Sequence, residues 1–180
     1  MEENLEEIKV VLAGSAETGK SNFLEYITDK NINFGNYFPT IGLDFGKKIL
    51  LYKKNIYSIK IFDTSGQIRF QTISKLYMKN AHIFLIFFNY NDRNTFEYAK
   101  TLFDNRENEK QVFVLIGAKY DLKIEKDKMD NIVNEEEVLE YAKEKNALYA
   151  HLSLLQKYSN GVIELVKKSF DEYINRKNIK

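Results

Sequence analysis

An α/β fold, with a six-stranded, mostly parallel sheet, one antiparallel edge strand and helices on both faces, is what the order of apolar patterns in this 180-residue chain predicts. Six apolar runs of strand length, rich in Ile, Val, Phe and Tyr, occupy residues 8–13, 48–52, 56–62, 82–90, 111–117 and 148–153. Helical periodicities lie between most of them, at 20–28, 68–79, 93–104, 134–145 and 161–175. The second and third runs are joined only by the short polar link Lys53-Lys54-Asn55, which reads as a hairpin and supplies the antiparallel pair.

Each element has its own local warrant. In the last helix Val162, Leu165, Val166, Phe170, Tyr173 and Ile174 recur at three- and four-residue spacing, which places them on one core-facing stripe. Asn134 with Glu137 resembles a capping box that starts the helix at 134–145, and the charge run KIEKDKMD before it, residues 123–130, reads as a solvated loop. With 44% hydrophobic and 14% aromatic residues the chain can bury a sizeable core. No internal repeat or low-complexity linker interrupts it, so one domain over residues 1–180 is expected.

Composition removes several function classes. Lys and Arg number 27 against 26 Asp and Glu, a formal net charge of +1, so no general pull toward nucleic acid is expected. Zero cysteines exclude disulfides, zinc–thiolate sites, thiol nucleophiles and thioether-linked lipids, and two histidines are too few for a histidine-rich metal site. The N-terminal MEENLEE is acidic and no run of about 18 apolar residues occurs, so neither a signal peptide nor a membrane span is expected and the reading is cytoplasmic.

The chemistry sits in three short elements. GSAETGKS, residues 14–21, follows the strand run IKVVL and opens a helix. Gly14 and Gly19 allow successive backbone N–H groups to face phosphate oxygens, with Glu17 and Thr18 lying in the loop between them. Lys20 neutralises the outer phosphates, and Ser21 offers a hydroxyl to Mg²⁺. In FDTSGQ, Asp63 at a strand end can hold Mg²⁺ through water, Gly66 can offer its N–H to a terminal phosphate, and Gln67 can orient an attacking water. In FPTIG, Thr40 can supply a second hydroxyl to Mg²⁺, beside Pro39, the one proline. Taken alone, the second element is a tight turn and the third a surface loop.

Together with IGLDF, GQIRF, YMKNAH, NDRNTF and VFVLIGAKYDL, these elements follow one another over about residues 8–175 in a way that resembles the Rab family of the Ras superfamily of small GTPases. The resemblance implies a P-loop GTPase (G domain) and a GTP/GDP switch requiring Mg²⁺. Thr40 and Gly66 would order two switch loops around the terminal phosphate. It further implies effector reading at Phe45, Phe62 and Tyr77, where the family generally has Trp at the place of Phe62, together with an exchange factor and an activating protein. Lys119 would cover one face of guanine, Asp121 would accept hydrogen bonds from its N1–H and 2-amino edge, and Ser153 and Leu154 would stand at its O6 side.

The base side departs most from the family pattern. In GAKYD, Ala118 stands where the family has an asparagine that ties the base loop to the phosphate loop; losing such a bond costs about 0.5–1.5 kcal/mol, up to roughly tenfold in affinity. LSLLQ replaces the family's TSAK, with Leu154 for Ala and Leu155 for Lys. The place of the family's aromatic residue that stacks on the base falls at Ile27, or at Tyr26 if the one-residue length difference falls earlier, so loss of a stacking face is expected. Glu17 replaces a common glycine, with its side chain expected to point outward, and Ala16 is compatible with slow hydrolysis. Asp63, Gln67 and Thr40 are all retained, so the hydrolytic set is more complete than the base pocket. A pseudo-GTPase scaffold is the alternative reading; a nucleoside kinase is disfavoured because no acceptor lid lies between the motifs. The chain ends NRKNIK without a cysteine, so peripheral membrane association is expected only if a lipidated tail continues beyond it.

Overall fold

The computed structural model describes residues 5–29, 39–125, 132–154 and 160–178. Strand β1 (Glu6–Gly14) leads through a loop into helix α1 (Lys20–Ile27); β2 (Leu43–Tyr52) and β3 (Asn55–Thr64) form the hairpin. A 3₁₀ turn at Ile68–Phe70 runs into α2 (Gln71–Met78), and β4 (Ile83–Asn89), α3 (Arg93–Leu102) and β5 (Val112–Ala118) follow. The chain continues through α4 (Tyr120–Glu125), α5 (Glu135–Glu144), β6 (Leu148–His151) and α6 (Asn160–Asn178).

The six strands lie in the order β2-β3-β1-β4-β5-β6, with β2–β3 antiparallel and every other pair parallel. The six strands and the single antiparallel edge pair are as the sequence predicts. Period-two alternation along β1 sends Ile8, Val10 and Leu12 into the cluster under α1 and α6, and Val11 and Ala13 into the cluster under α2, α3 and α5. The α6 stripe closes the first cluster: Val162, Leu165, Phe170 and Tyr173 are buried, with Val166 and Ile174 packed beside them.

Three local differences from the sequence reading have physical causes. β2 begins at Leu43 rather than 48, because the ladder to β3, from Leu43 opposite Thr64 onward, carries the poor strand formers Asp44 and Gly46. At Gly46 a Cβ would lie 2.7 Å from Leu24 and Thr28 side-chain carbons, so its absence lets α1 sit on the sheet. The loop expected over the charge run begins as α4, which includes Lys123–Glu125; residues 126–130 lie outside the described set. Asn134 does cap α5, accepting the Glu136 N–H at 2.8 Å, but Glu137 bonds Arg93 at 2.7 Å and Lys100 at 3.3 Å on α3 instead of closing a capping box.

Candidate functional site

The carboxyl ends of β1, β3, β5 and β6 open on one cleft of about 460 Å³, beside the central strand where the chain order reverses between β3 and β4. At Gly14, φ is +136° and a Cβ would stand 2.3 Å from the Phe87 carbonyl oxygen, which only glycine avoids. Gly19 is the left-handed N-cap of α1 and gives no side-chain cap, so the helix's first N–H groups face the cleft end of the loop. Thr18 is buried and braces the loop through its hydroxyl, which donates to the Ser15 carbonyl at 2.9 Å.

Lys20 is buried, its ammonium donating to the carbonyls of Gly14 at 3.0 Å and Ser15 at 2.6 Å. Burial lowers its pKa to about 8, partly offset by Asp63. Next to it, Ser21 Oγ donates to Asp63 Oδ2 at 2.6 Å and lies 2.9 Å from Thr40 Oγ1, while Thr40 Oγ1 stands 3.4 Å from the same carboxylate oxygen. Three residues from three distant segments thus share one point. Asp63 is wholly buried and does not itself surface in the cleft; burial raises its pKa, opposed by the Ser21 hydroxyl and by Lys20. Its Oδ1 has no hydrogen-bond partner, an uncompensated buried acceptor that a hard cation would satisfy. Oxygen-only donors of this kind suit Mg²⁺ over thiophilic metals.

Gly66 packs on the phosphate loop so closely that a Cβ would fall 2.1 Å from the Ala16 nitrogen. Gln67 lines the cleft, with its backbone N–H on Ser65 Oγ at 3.3 Å and its side-chain carbonyl accepting from Arg69 Nε at 2.8 Å. The far wall is formed by Lys119, Asp121, Ser153 and Leu154. Two backbone bonds tie that wall together: Tyr120 N–H to the Leu152 carbonyl at 3.1 Å, and Leu152 N–H to the Gly117 carbonyl at 2.8 Å. The family model described as Ras family matches residues 9–175.

The chain belongs to the Ras family of small GTPases. It is similar to the Ras-related protein Rab-17 of Mus musculus, 30% identical over 173 residues that cover 93% of this chain and 76% of the mouse protein. It is also similar to the Ras-related protein Rab-11B of Dictyostelium discoideum, 36% identical over 118 residues, 64% of this chain and 53% of that one. The Ras-related protein RABA6a of Arabidopsis thaliana shares 36% over 118 residues, 64% of this chain and 50% of the plant protein. The aligned chain therefore spans about half the length of the last two relatives. The Rab-like resemblance read from the motifs agrees with these Rab-named relatives, and among the described residues no helix is long and apolar enough to cross a membrane.

Within this Ras-family frame the position read as the base-stacking one offers no ring to the cleft. Neither Ile27 nor Tyr26 lines the cleft; both pack against the cluster under α1 and α6, since three- and four-residue spacing from buried Phe23 puts them on its face of the helix. Leu155 lies outside the described residues. Phe45, Phe62 and Tyr77 do form a continuous aromatic run, with ring centroids 5.1 and 5.5 Å apart, and Phe45 and Tyr77 are exposed. Sequence reasoning missed Ser65 and Arg69, which hold Gln67 from either side; their place within two residues of it was the available signal.

Glu17 is exposed with φ at +61°, a left-handed conformation that costs a side-chain-bearing residue about 1 kcal/mol. Replacing it with glycine removes that strain and a negative charge at the cleft rim. The expected result of Glu17→Gly is GDP release slowed about two- to fivefold; faster release, read with a fluorescent GDP, would show that the glutamate helps hold nucleotide.

Proposed function

We propose that this chain is a single Rab-like G domain that binds Mg²⁺ with GTP or GDP, hydrolyses GTP slowly and works as a molecular switch in vesicle or membrane traffic. The observation that carries the reading is the meeting of Ser21, Thr40 and Asp63 beside the buried Lys20. Ser21 and Thr40 would hold the cation with Asp63 behind them, and the cation would neutralise charge on the phosphates. Gly14, Glu17, Thr18 and Gly19 would present the loop backbone to the phosphates, and Lys20 would supply the ammonium. Gly66 would contact the terminal phosphate, so that its presence or loss moves the loop bearing Gln67. Gln67 would orient the attacking water, with Arg69 competing for its carbonyl. The base would rest against Lys119, with Asp121 reading its N1–H and 2-amino edge and Ser153 and Leu154 at its O6 side.

Hydrolysis without a partner's arginine would run on the order of 10⁻⁴ to 10⁻² per second. Effectors would dock on Phe45, Phe62 and Tyr77, with an exchange factor and an activating protein completing the cycle. A nucleotide-independent scaffold is favoured by one feature, the alanine at 118 on the cleft wall where the family carries its tying amide. Chromatography of nucleotide extracted from the purified chain, followed by single-turnover hydrolysis, separates the two: bound GDP or GTP and slow phosphate release support the switch, and neither supports the scaffold. Ala118→Asn should slow GDP release up to about tenfold by restoring one buried hydrogen bond. An unchanged rate constant in a fluorescent-GDP chase would remove that account of weak retention.

A further inference from the structure

The base wall is braced from behind by a polar aromatic cluster that the family pattern did not predict. Tyr120, between Lys119 and Asp121, lies flat on His151, with centroids 4.0 Å apart and planes 15° from parallel. His151 ends β6 and immediately precedes Leu152, Ser153 and Leu154. The outer atoms of both rings converge on Glu135, the first residue of α5: Tyr120 Oη is 3.5 Å from Oε2 and His151 Nδ1 is 3.6 Å from Oε1, which also accepts from Tyr149 Oη at 3.1 Å. Tyr149 Oη bonds Tyr90 Oη, and the Tyr90 ring stands edge-on to Tyr120 at 5.6 Å. That ring fills the space over Gly117, where a Cβ would meet it at 2.3 Å.

We propose that Tyr120 and His151 are positioning residues for reading the base: their stack fixes the segment carrying Asp121 against the segment carrying Ser153 and Leu154. The inference rests on the guanine-nucleotide reading above. Neither ring lines the cleft, so the pair acts through Asp121, Ser153 and Leu154 and not by touching nucleotide. The chain has alanine at 118, without the amide that would fix this wall from the cleft side, and the ring pair supplies a tie from the opposite side. A stacked ring pair of this geometry corresponds to about a two- to tenfold effect on an equilibrium it controls.

The test compares GDP with inosine diphosphate, which lacks only the 2-amino group that Asp121 would accept. Dissociation constants with Mg²⁺ are measured for the parent, Tyr120→Phe, Tyr120→Leu and His151→Leu, the leucines keeping apolar volume without a stack. The expected result is a GDP affinity about three- to tenfold weaker in both leucine variants, with a smaller preference for GDP over inosine diphosphate, and parent-like values in Tyr120→Phe. Equal losses for both nucleotides, or an unchanged preference in a folded leucine variant, would overturn the proposal and leave the cluster a structural brace. If the leucine variants do not fold, the Tyr120→Phe preference decides: a value shifted from the parent's overturns the role of the stack, and a parent value supports it. A parent that binds neither nucleotide overturns the switch reading itself, a result visible before any variant is made.

Discussion

Replacing Lys20 with alanine is expected to weaken GDP and GTP binding by more than about a hundredfold, roughly 2.7 kcal/mol. The ammonium is buried against the Gly14 and Ser15 carbonyls and its charged form is disfavoured there, with a pKa lowered to about 8 by burial. Such a group is held at a cost to the ligand-free fold that Asp63 and the two carbonyls offset only in part, and a bound anion would offset the rest. Lys20→Ala should therefore lose nucleotide without losing the fold. Calorimetric titration beside a thermal melt reads both: a variant that melts near the parent and still binds GDP within a few-fold of it would remove Lys20 from the phosphate site.

Gln67→Leu should slow single-turnover GTP hydrolysis by about tenfold or more, about 1.4 kcal/mol in the barrier, while leaving GTP affinity nearly unchanged. Leucine keeps the bulk of the side chain but has no carbonyl or amide with which to align water. The Arg69 bond to the Gln67 carbonyl is an exposed contact between neighbouring residues, so a bound terminal phosphate and water can replace it at small cost. Hydrolysis as fast as the parent's, measured as phosphate release from preloaded GTP, would assign water positioning to another residue.

What could be read from the chain depended on how local the cause was. Gly14, Gly19, Lys20 and Ser21 are constrained by a loop eight residues long, and Asp63 by a strand end, so their meeting place followed from motif order. The hairpin was legible from its short polar link, although both turn residues, Lys53 and Lys54, adopt the left-handed conformation that glycine or asparagine usually supplies. Helix α4 was not legible, because its six residues are too few to show an apolar period and its second half, Lys123–Glu125, runs into the charge run. Glu137 matched a capping pattern but is claimed by Arg93 and Lys100, a tertiary pairing that spacing along one helix does not encode. Tyr26 and Ile27 were assigned by alignment with the family's motif order, whereas their direction is set by the helical face they share with Phe23. The Tyr120–His151 stack depends on the register of β5 with β6, which pairs Gly117 with His151.

The most direct test of the switch reading is calorimetric titration of nucleotide-free protein with GDP, GTP and ATP, each with Mg²⁺ and again after chelation. The ammonium, hydroxyls and carboxylate brought together at Lys20, Ser21, Thr40 and Asp63, with Asp121 on the cleft wall, predict saturable binding of GDP and GTP that is at least about tenfold tighter than ATP and weakens when Mg²⁺ is removed. No binding of either guanine nucleotide at millimolar concentration would contradict the switch and leave a scaffold, and equal affinity for ATP would contradict the base-reading role of Asp121.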